Sequence, residues 1–407
     1  MPDPDPSPTP SGASSPKVSL NAALARLIIV QICIHACMAG IRMAAPLLAL
    51  RQGYSAVAVG VLLALFSLTQ VFLSIPAGRF ADRHGLKRPV RISICCTVFG
   101  AVLAAVWPTY PVLCFAALLT GGSTGAALIS LQRHVGCMTT DPTQLKKVFS
   151  WLAIGPSVSN FLGPFTAGLM IDHAGFRAAF ALMAVLPVIS WLLTRRTREL
   201  APTKPPADAR RQRSWELLKE PQMRRLLLIN WLLSSCWDVH TFVLPVLGHE
   251  RGLSASVIGS ILGAFAIAAT LIRTVMPLVA ARIREWAVIA GAMTATALLF
   301  AVYPLLHAPL AMGLCSVLLG FALGSVQPMI LSTLHQITPT HRHGEALGLR
   351  MMTINGSSVI MPTLFGTLGT LIGISGVFWI VGSAVGIGSH TAWRLRKALG
   401  TEPVEKS

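Results

Sequence analysis

A single carboxylate stands deep inside an apolar stretch of this 407-residue chain. Asp238 sits near the midpoint of the run from 226 to 247, with Asn230 and Ser234 before it and Thr241 after it. On a helix that spacing lines the four polar groups up in one stripe over about three turns. His240 points to a different face. A second stripe, Gln31, His35 and Arg42 with Met38 in the same row, runs along the stretch from 27 to 50. Ionisable groups are costly wherever lipid or protein replaces water, so their presence marks a pathway, a proton site or a buried pair. Asp238 is therefore the candidate for binding a proton or a cationic group, with Arg42 as its modulator if the two stripes face each other. A permanent Arg42–Asp238 ion pair is the structural alternative. For Ser234 and Thr241, ordinary interhelical hydrogen bonds suffice.

Asn160, Gln327 and Asn355 are weaker cavity candidates, since each lies in an apolar stretch. Arg273 and Arg350 read as snorkelling side chains that carry their charge toward a membrane surface. The eight cysteines lie in or beside apolar runs without paired spacing in polar loops, so they read as small hydrophobes and not as disulfides. Cys33, His35, Cys37 and Met38 point different ways on a helix, and His341-Arg342-His343 lacks a third ligand and reads as solvated loop. No metal site and no prosthetic cofactor are expected. No nucleophile, acid–base or metal constellation gathers at one depth, so an enzyme is not expected either.

The elements that must position these groups follow from composition. Hydrophobic residues make up 53% of the chain, charged residues 12%, and the mean hydropathy is +0.66. At this length such a balance implies lipid as the main solvent. A bilayer core about 30 Å thick takes roughly 20 apolar residues per helical crossing, and the apolar runs number twelve. They fall at 27 to 50, 55 to 78, 92 to 107, 111 to 132, 148 to 171 and 176 to 193, then at 226 to 247, 255 to 281, 286 to 303, 310 to 334, 346 to 370 and 372 to 392. Polar or Gly/Pro punctuation such as Arg51-Gln52-Gly53 and His307-Ala308-Pro309 separates them.

Charge sets the expected orientation, because cytoplasmic loops accumulate Lys and Arg. With both termini inside, only Arg51, Arg177 and Arg251 of the 33 basic residues fall outside, while Arg42 and Arg273 lie within the membrane. The net charge of +18 is thereby explained by topology and by anionic lipid headgroups, and nucleic acid is not an expected partner. Residues 1–21 read as a disordered cytoplasmic tail without a cleavable signal. Residues 22–193 form the first six-helix bundle, 194–225 a cytoplasmic linker, 226–392 the second bundle and 393–407 a cytoplasmic tail. The linker carries Lys204, Arg210, Arg211 and Arg213 among its prolines, and its Trp215–Leu218 stretch reads as solvated by default.

An internal repeat organises the whole. Gly53-Tyr54-Ser55-Ala56 recurs 199 positions later as Gly252-Leu253-Ser254-Ala255. Gly60, Phe66, Gly121 and Gly125 match Gly259, Phe265, Gly320 and Gly324 at the same offset, and Pro164 and Gly168 match Pro362 and Gly366 one position short of it. Two parallel six-helix repeats are the consequence.

Between the second and third spans the chain reads Gly78-Arg79-Phe80-Ala81-Asp82-Arg83-His84-Gly85-Leu86-Lys87-Arg88. Glycines permit close helix approach and tight turns, and an aspartate between them can accept from arginine and cap a neighbouring helix. This loop resembles the cytoplasmic signature of the major facilitator superfamily, matching at Gly78, Asp82, Arg83, Gly85, Lys87 and Arg88, with Leu86 in place of a basic residue. The corresponding second-half loop, around Pro277, Arg282, Arg284 and Glu285, lacks the Gly/Asp pattern and reads as a degenerate latch. In the fifth span, Ser159, Gly163, Pro164 and Gly168 resemble the Gly-Pro signature of the drug/proton antiporters, placed as a bending contact between the two halves. Ala117 and Leu118 stand where the antiporters' fourth-helix signature carries an arginine.

The resemblance implies an all-α membrane protein of the major facilitator fold, with helices 1 and 7 lining a central cavity and the 78–88 loop latching one conformation. It implies secondary active transport of a small molecule by alternating access, expected as proton-coupled efflux. Proton-coupled uptake or facilitated transport of a metabolite is the runner-up, and a non-transporting membrane sensor the reading from another class. The expected partners are a small-molecule substrate, protons and membrane lipid. The expected state is a monomer in the plasma membrane, which is the inner membrane of a bacterium.

Overall fold

Lipid offers no partner to a backbone N–H or C=O, so apolar stretches of this length must satisfy their own hydrogen bonds as helices. In the computed structural model, which describes residues 20–197, 199–200, 214–253, 255–280 and 282–399, the secondary structure is helical throughout. The first half contains α1 (Leu20–Arg51), α2 (Ala56–His84), α3 (Lys87–Val106), α4 (Tyr110–Gly136), α5 (Pro142–Leu152) and α6 (Ile154–Arg195). The second half contains α7 (Pro221–Glu250), α8 (Ala255–Val279), α9 (Glu285–Val302), α10 (Pro309–Ile337) and α11 (His343–Leu399).

Among the described residues, ten stretches are long and apolar enough to cross a membrane, and one of them, Pro142–Arg195, runs for 54 residues. That length is two crossings. The break falls at Gly175, whose φ of 83° only glycine adopts without strain, and the partner break in α11 falls at Gly373, with φ 75°. The first arm of α11 supplies the remaining crossing, which brings the total to the twelve expected.

The repeat is visible in packing. Gly121 of α4 lies so close to Phe66 of α2 that a Cβ would land on its backbone, and Gly320 of α10 meets Phe265 of α8 in the same way. Close approach of small residues is how helices associate in lipid, where there is no hydrophobic drive between them. α1 packs on α6 as α7 packs on α11, and α2 on α4 as α8 on α10. Of the repeat anchors, Ser254 and the surroundings of Pro362 and Gly366 lie outside the described residues.

Several expectations require correction. The linker does not begin at 194, since α6 continues to Arg195, and the second half starts at Pro221. Ser214–Lys219 is a 3₁₀ helix whose Leu217 is buried in the core, because an apolar residue beside bundle ends finds cover there and not water. α11 extends to Leu399, past the expected end at 392. Residues 1–19 of the N-terminal tail, Arg198, residues 201–213 with Lys204, Arg210, Arg211 and Arg213, and residues 400–407 lie outside the described residues.

Candidate transport site and gate

Between the two halves lies a cavity of about 380 Å³ that brings Arg42 of the first stripe to the polar stripe of α7. Arg42 of α1 meets Asn230, Ser234, Asp238 and Thr241 of α7 on its wall, with Gln327 of α10. Asp238 is 8% exposed, and Ser357 donates from α11 to its Oδ2 at 3.5 Å. The four ion pairs of the described residues lie elsewhere, so Asp238 and Arg42 share the cavity without joining as an ion pair. Thr241 donates to Trp237 O within its own helix. His240 is fully buried behind the cavity wall, bonded to Ser316 and stacked on Phe265.

A second cavity of about 190 Å³ shares Arg273, Gln327 and Ile354 with the first. Gln31 lines it, together with Gln132 and Arg350. Neither Arg273 nor Arg350 snorkels. Arg273, 8% exposed, donates from α8 to Ser157 Oγ of α6 at 2.6 Å and to Gly324 O at 3.4 Å, with its guanidinium 5.6 Å from the Trp237 ring. Arg350, 2% exposed, donates to Gln327 Oε1. A long side chain snorkels only when its helix end is near water, and these two open inward on a polar cavity instead.

The remaining sequence candidates stay apart from this wall. His35 is half-buried with an unpartnered Nδ1 and lines neither cavity. Asn160 is exposed and lines neither, while Asn355 turns back to donate to Met351 O of its own helix at 2.8 Å. The Gly-Pro segment does not join the halves. Gly163 packs against Ala36 and Gly40 of α1, Gly168 lies near Met43, and Ser159 donates to Ile32 O, all within one bundle. Pro164 lies within α6, whose backbone stays helical there. Small residues at this spacing close whichever helix is adjacent, and here that helix is α1.

Away from the cavity wall, Asp82 joins the two halves. Its Oδ1 accepts from Arg133 Nε of α4 at 2.6 Å and from Gly344 N at 2.9 Å, and its Oδ2 accepts from Glu345 N at 3.1 Å. A carboxylate at the start of α11 thus meets the unsatisfied amides and positive end of a helix from the opposite half. Gly78 and Gly344 are in backbone contact, and Arg79 pairs with Glu345 at 3.0 Å. Gly85 terminates α2 at φ 73°, and Lys87 N donates to Glu199 at 3.1 Å. Arg83 and Arg88 are both exposed.

The loop read as degenerate holds a counterpart. Glu285 accepts from Gln336 at 2.9 Å and Ser332 at 3.2 Å, and Lys146 Nζ of α5 lies 3.8 Å away while donating to Ile283 O. Asp82–Arg133 and Glu285–Gln336 both span 51 residues, but Glu285 opens α9 whereas Asp82 lies in the last turn of α2, so the second half carries a carboxylate junction of its own at a position that is not repeat-equivalent. His341-Arg342-His343 is not solvated loop either. Arg342 and His343 are buried, His343 Nε2 donates to Thr338 O at 2.9 Å, and Arg342 pairs with Glu345 at 2.7 Å. Among the described residues no group of three His, Cys, Asp or Glu is placed to hold a metal.

A polar cavity between two repeated helical bundles, with cross-bundle bonds at Asp82, is the arrangement of a secondary membrane transporter. The Major Facilitator Superfamily model matches residues 27–247 and again 226–406, and the chain belongs to that superfamily. It is 24% identical over 351 residues to the multidrug resistance protein 1 of Bacillus subtilis, covering 84% of this chain and 88% of that protein. It is 28% identical over 351 residues to the class B tetracycline resistance protein of Escherichia coli, covering 80% and 82% respectively. Its fold superimposes on a bacterial homologue of the iron transporter ferroportin with a TM-score of 0.77 at 16% identity, over 92% of this chain and 99% of that one.

Proposed function

We propose that the chain exports a small organic molecule by proton antiport. The observation that carries this reading is the placement of Asp238 in the central cavity while Asp82 bonds across the two halves at one end. Breaking the Asp82 junction closes the path on one side as it opens the other, which is alternating access. Asp238 alternates between a proton and a hydrogen-bond donor or cationic group of the substrate, and because the two compete, one leaves as the other enters. The efflux direction is supported by the relatives named for multidrug and tetracycline resistance. The Asp82 end faces the cytoplasm, as the charge asymmetry of the loops indicates, in the plasma membrane or a bacterial inner membrane, and the protein works as a monomer surrounded by lipid. Purified protein in proteoliposomes, loaded with a panel of labelled compounds, tests the reading. An imposed proton gradient should drive at least one compound against its concentration gradient, with protons moving the opposite way. Gradient-independent flux for every transported compound would reduce the protein to a facilitator.

A further inference from the structure

The joined cavities contain three guanidinium groups, Arg42, Arg273 and Arg350, against one carboxylate, Asp238. Two positive charges are therefore uncompensated in a space lined otherwise by neutral side chains. Buried charge without a partner is costly, and no described carboxylate reaches Arg273 or Arg350. Arg350 Nε has no hydrogen-bond partner at all, although the residue is 2% exposed. Gln31 Oε1 and Gln132 Oε1, in the same lobe, are also unpartnered. A nearly fully buried arginine that lines a cavity without a counter-charge is a site suited to an anion.

The walls specify the rest of the ligand. The face of Trp237 and the side chains of Leu323, Val326 and Ile330 line the larger lobe around Asp238, which suits an apolar or aromatic body. Resting on the transporter reading above, we propose that the substrate is an amphiphilic organic anion. Its carboxylate or equivalent oxyanion docks between Arg273 and Arg350, and its body lies along Trp237 toward Asp238. The planar fork of arginine meets a carboxylate with two parallel hydrogen bonds, which a lysine cannot reproduce. Charge alone would make the anion and a proton on Asp238 assist each other. A hydroxyl or amine on the substrate body reverses that sign by donating directly to the ionised carboxylate, so the substrates that exchange for protons carry both groups.

Matched ligands that differ only in charge test the proposal on the purified full-length protein. The probes are 4-hydroxybenzoate and 6-hydroxy-2-naphthoate, each with its neutral carboxamide and its cationic carboxamidine, in titrations of binding heat and thermal stability. At least one carboxylate should bind saturably, about tenfold or more tighter than its amide, and its amidine should bind weakest. Arg273→Gln and Arg350→Gln should each lose about tenfold in affinity for the carboxylate and leave the amide unchanged, while Arg51→Gln, exposed outside the cavity, changes neither. Arg350→Lys keeps the charge and the fold but should recover only part of the affinity. Equal binding of amide and carboxylate, preference for the amidine, or no binding by either carboxylate overturns the proposal. Proton release on carboxylate binding, followed with an indicator dye in weak buffer, separates the two readings. Carboxylate-selective binding with proton uptake preserves the anion site and overturns antiport.

Discussion

Asp82 of α2 caps the first turn of α11: its Oδ1 accepts the Gly344 amide at 2.9 Å while holding Arg133 at 2.6 Å. One side chain therefore ties a helix of the second half to two helices of the first. Asp82→Asn keeps the shape and one acceptor oxygen but removes the charge that both Arg133 and the helix terminus require. Stripping one partner from a buried pair costs about 3–5 kcal/mol, and this cost falls only on the state in which the junction is formed. The variant is expected to fold and insert, but with turnover reduced about tenfold or more. Wild-type turnover at equal expression would reduce this loop to a membrane anchor.

Gly78 and Gly344 give a steric test of the same junction. A methyl group at either would meet the backbone of the other helix, which cannot move aside as a flexible side chain can. Gly78→Ala and Gly344→Ala should therefore shift the population toward the state open at this end, seen as faster labelling of a cysteine placed in the cavity from that side. Gly60→Ala and Gly259→Ala, with no atom within 4 Å of the added carbon, should leave labelling unchanged. An equal effect at all four would point to helix propensity and not to the junction.

Glu285 is expected to share the load. Glu285→Gln leaves Lys146 without its counter-charge but keeps an acceptor for Gln336 and Ser332, so its effect should be smaller than that of Asp82→Asn. The double variant should lose more turnover than the sum of the singles in free energy if both carboxylates brace one closed state. Strict additivity in a double-mutant cycle would make them independent.

The architecture was legible because its causes are repetitive. Twelve apolar runs and a spacing of 199 residues reappear as paired breaks at Gly175 and Gly373 and paired contacts at Gly121 and Gly320. Arg42, Asp238, Asn230 and Gln327 also stand where hydrophobic context makes a polar residue conspicuous, and Asp82 stands out by its place between two glycines in a basic loop. The arginines were misread for a reason of length. A guanidinium on a four-bond stem reaches either a membrane surface or a central cavity, and sequence position alone does not say which, so Arg273 and Arg350 read as snorkelling. Arg133, Glu345 and Lys146 gave no signal, because they sit at helix ends where basic and acidic residues are ordinary. Which helix faces the 159–168 segment is a tertiary fact, and small residues alone do not name their neighbour.

Orientation is tested by accessibility. Gln52, Gly252 and His307 are exposed at one end of the molecule, and Arg83 is exposed at the other. Single cysteines at the first three should react with an impermeant thiol reagent applied to intact cells, and one at Arg83 should react only after permeabilisation, in a background lacking reactive native thiols. The positive-inside distribution of Lys and Arg requires this outcome. Reversed labelling would place the Asp82 junction outside and invert the proposed direction of opening.

The last expectation concerns Asp238 and its separation from Arg42. The two share one cavity but do not close as an ion pair, so Asp238 is free to exchange partners during the cycle instead of serving as a fixed strut. A proton carried through the full membrane potential contributes about 2.3 kcal/mol per 100 mV, and only a group that binds and releases it on opposite sides can harvest that energy. Asp238→Asn keeps the size and hydrogen-bonding reach of the side chain, including an acceptor for Ser357, but removes the titrating group. Uphill transport should therefore be abolished, while counterflow between equal pools, which needs no proton, should persist. Arg42→Gln should retain uphill transport with a shifted pH dependence, because it alters the field at Asp238 without removing the proton site. If Asp238→Asn still concentrates substrate with the wild-type pH dependence, the proton is bound elsewhere. In that case Asp238 contributes only charge balance for the three arginines.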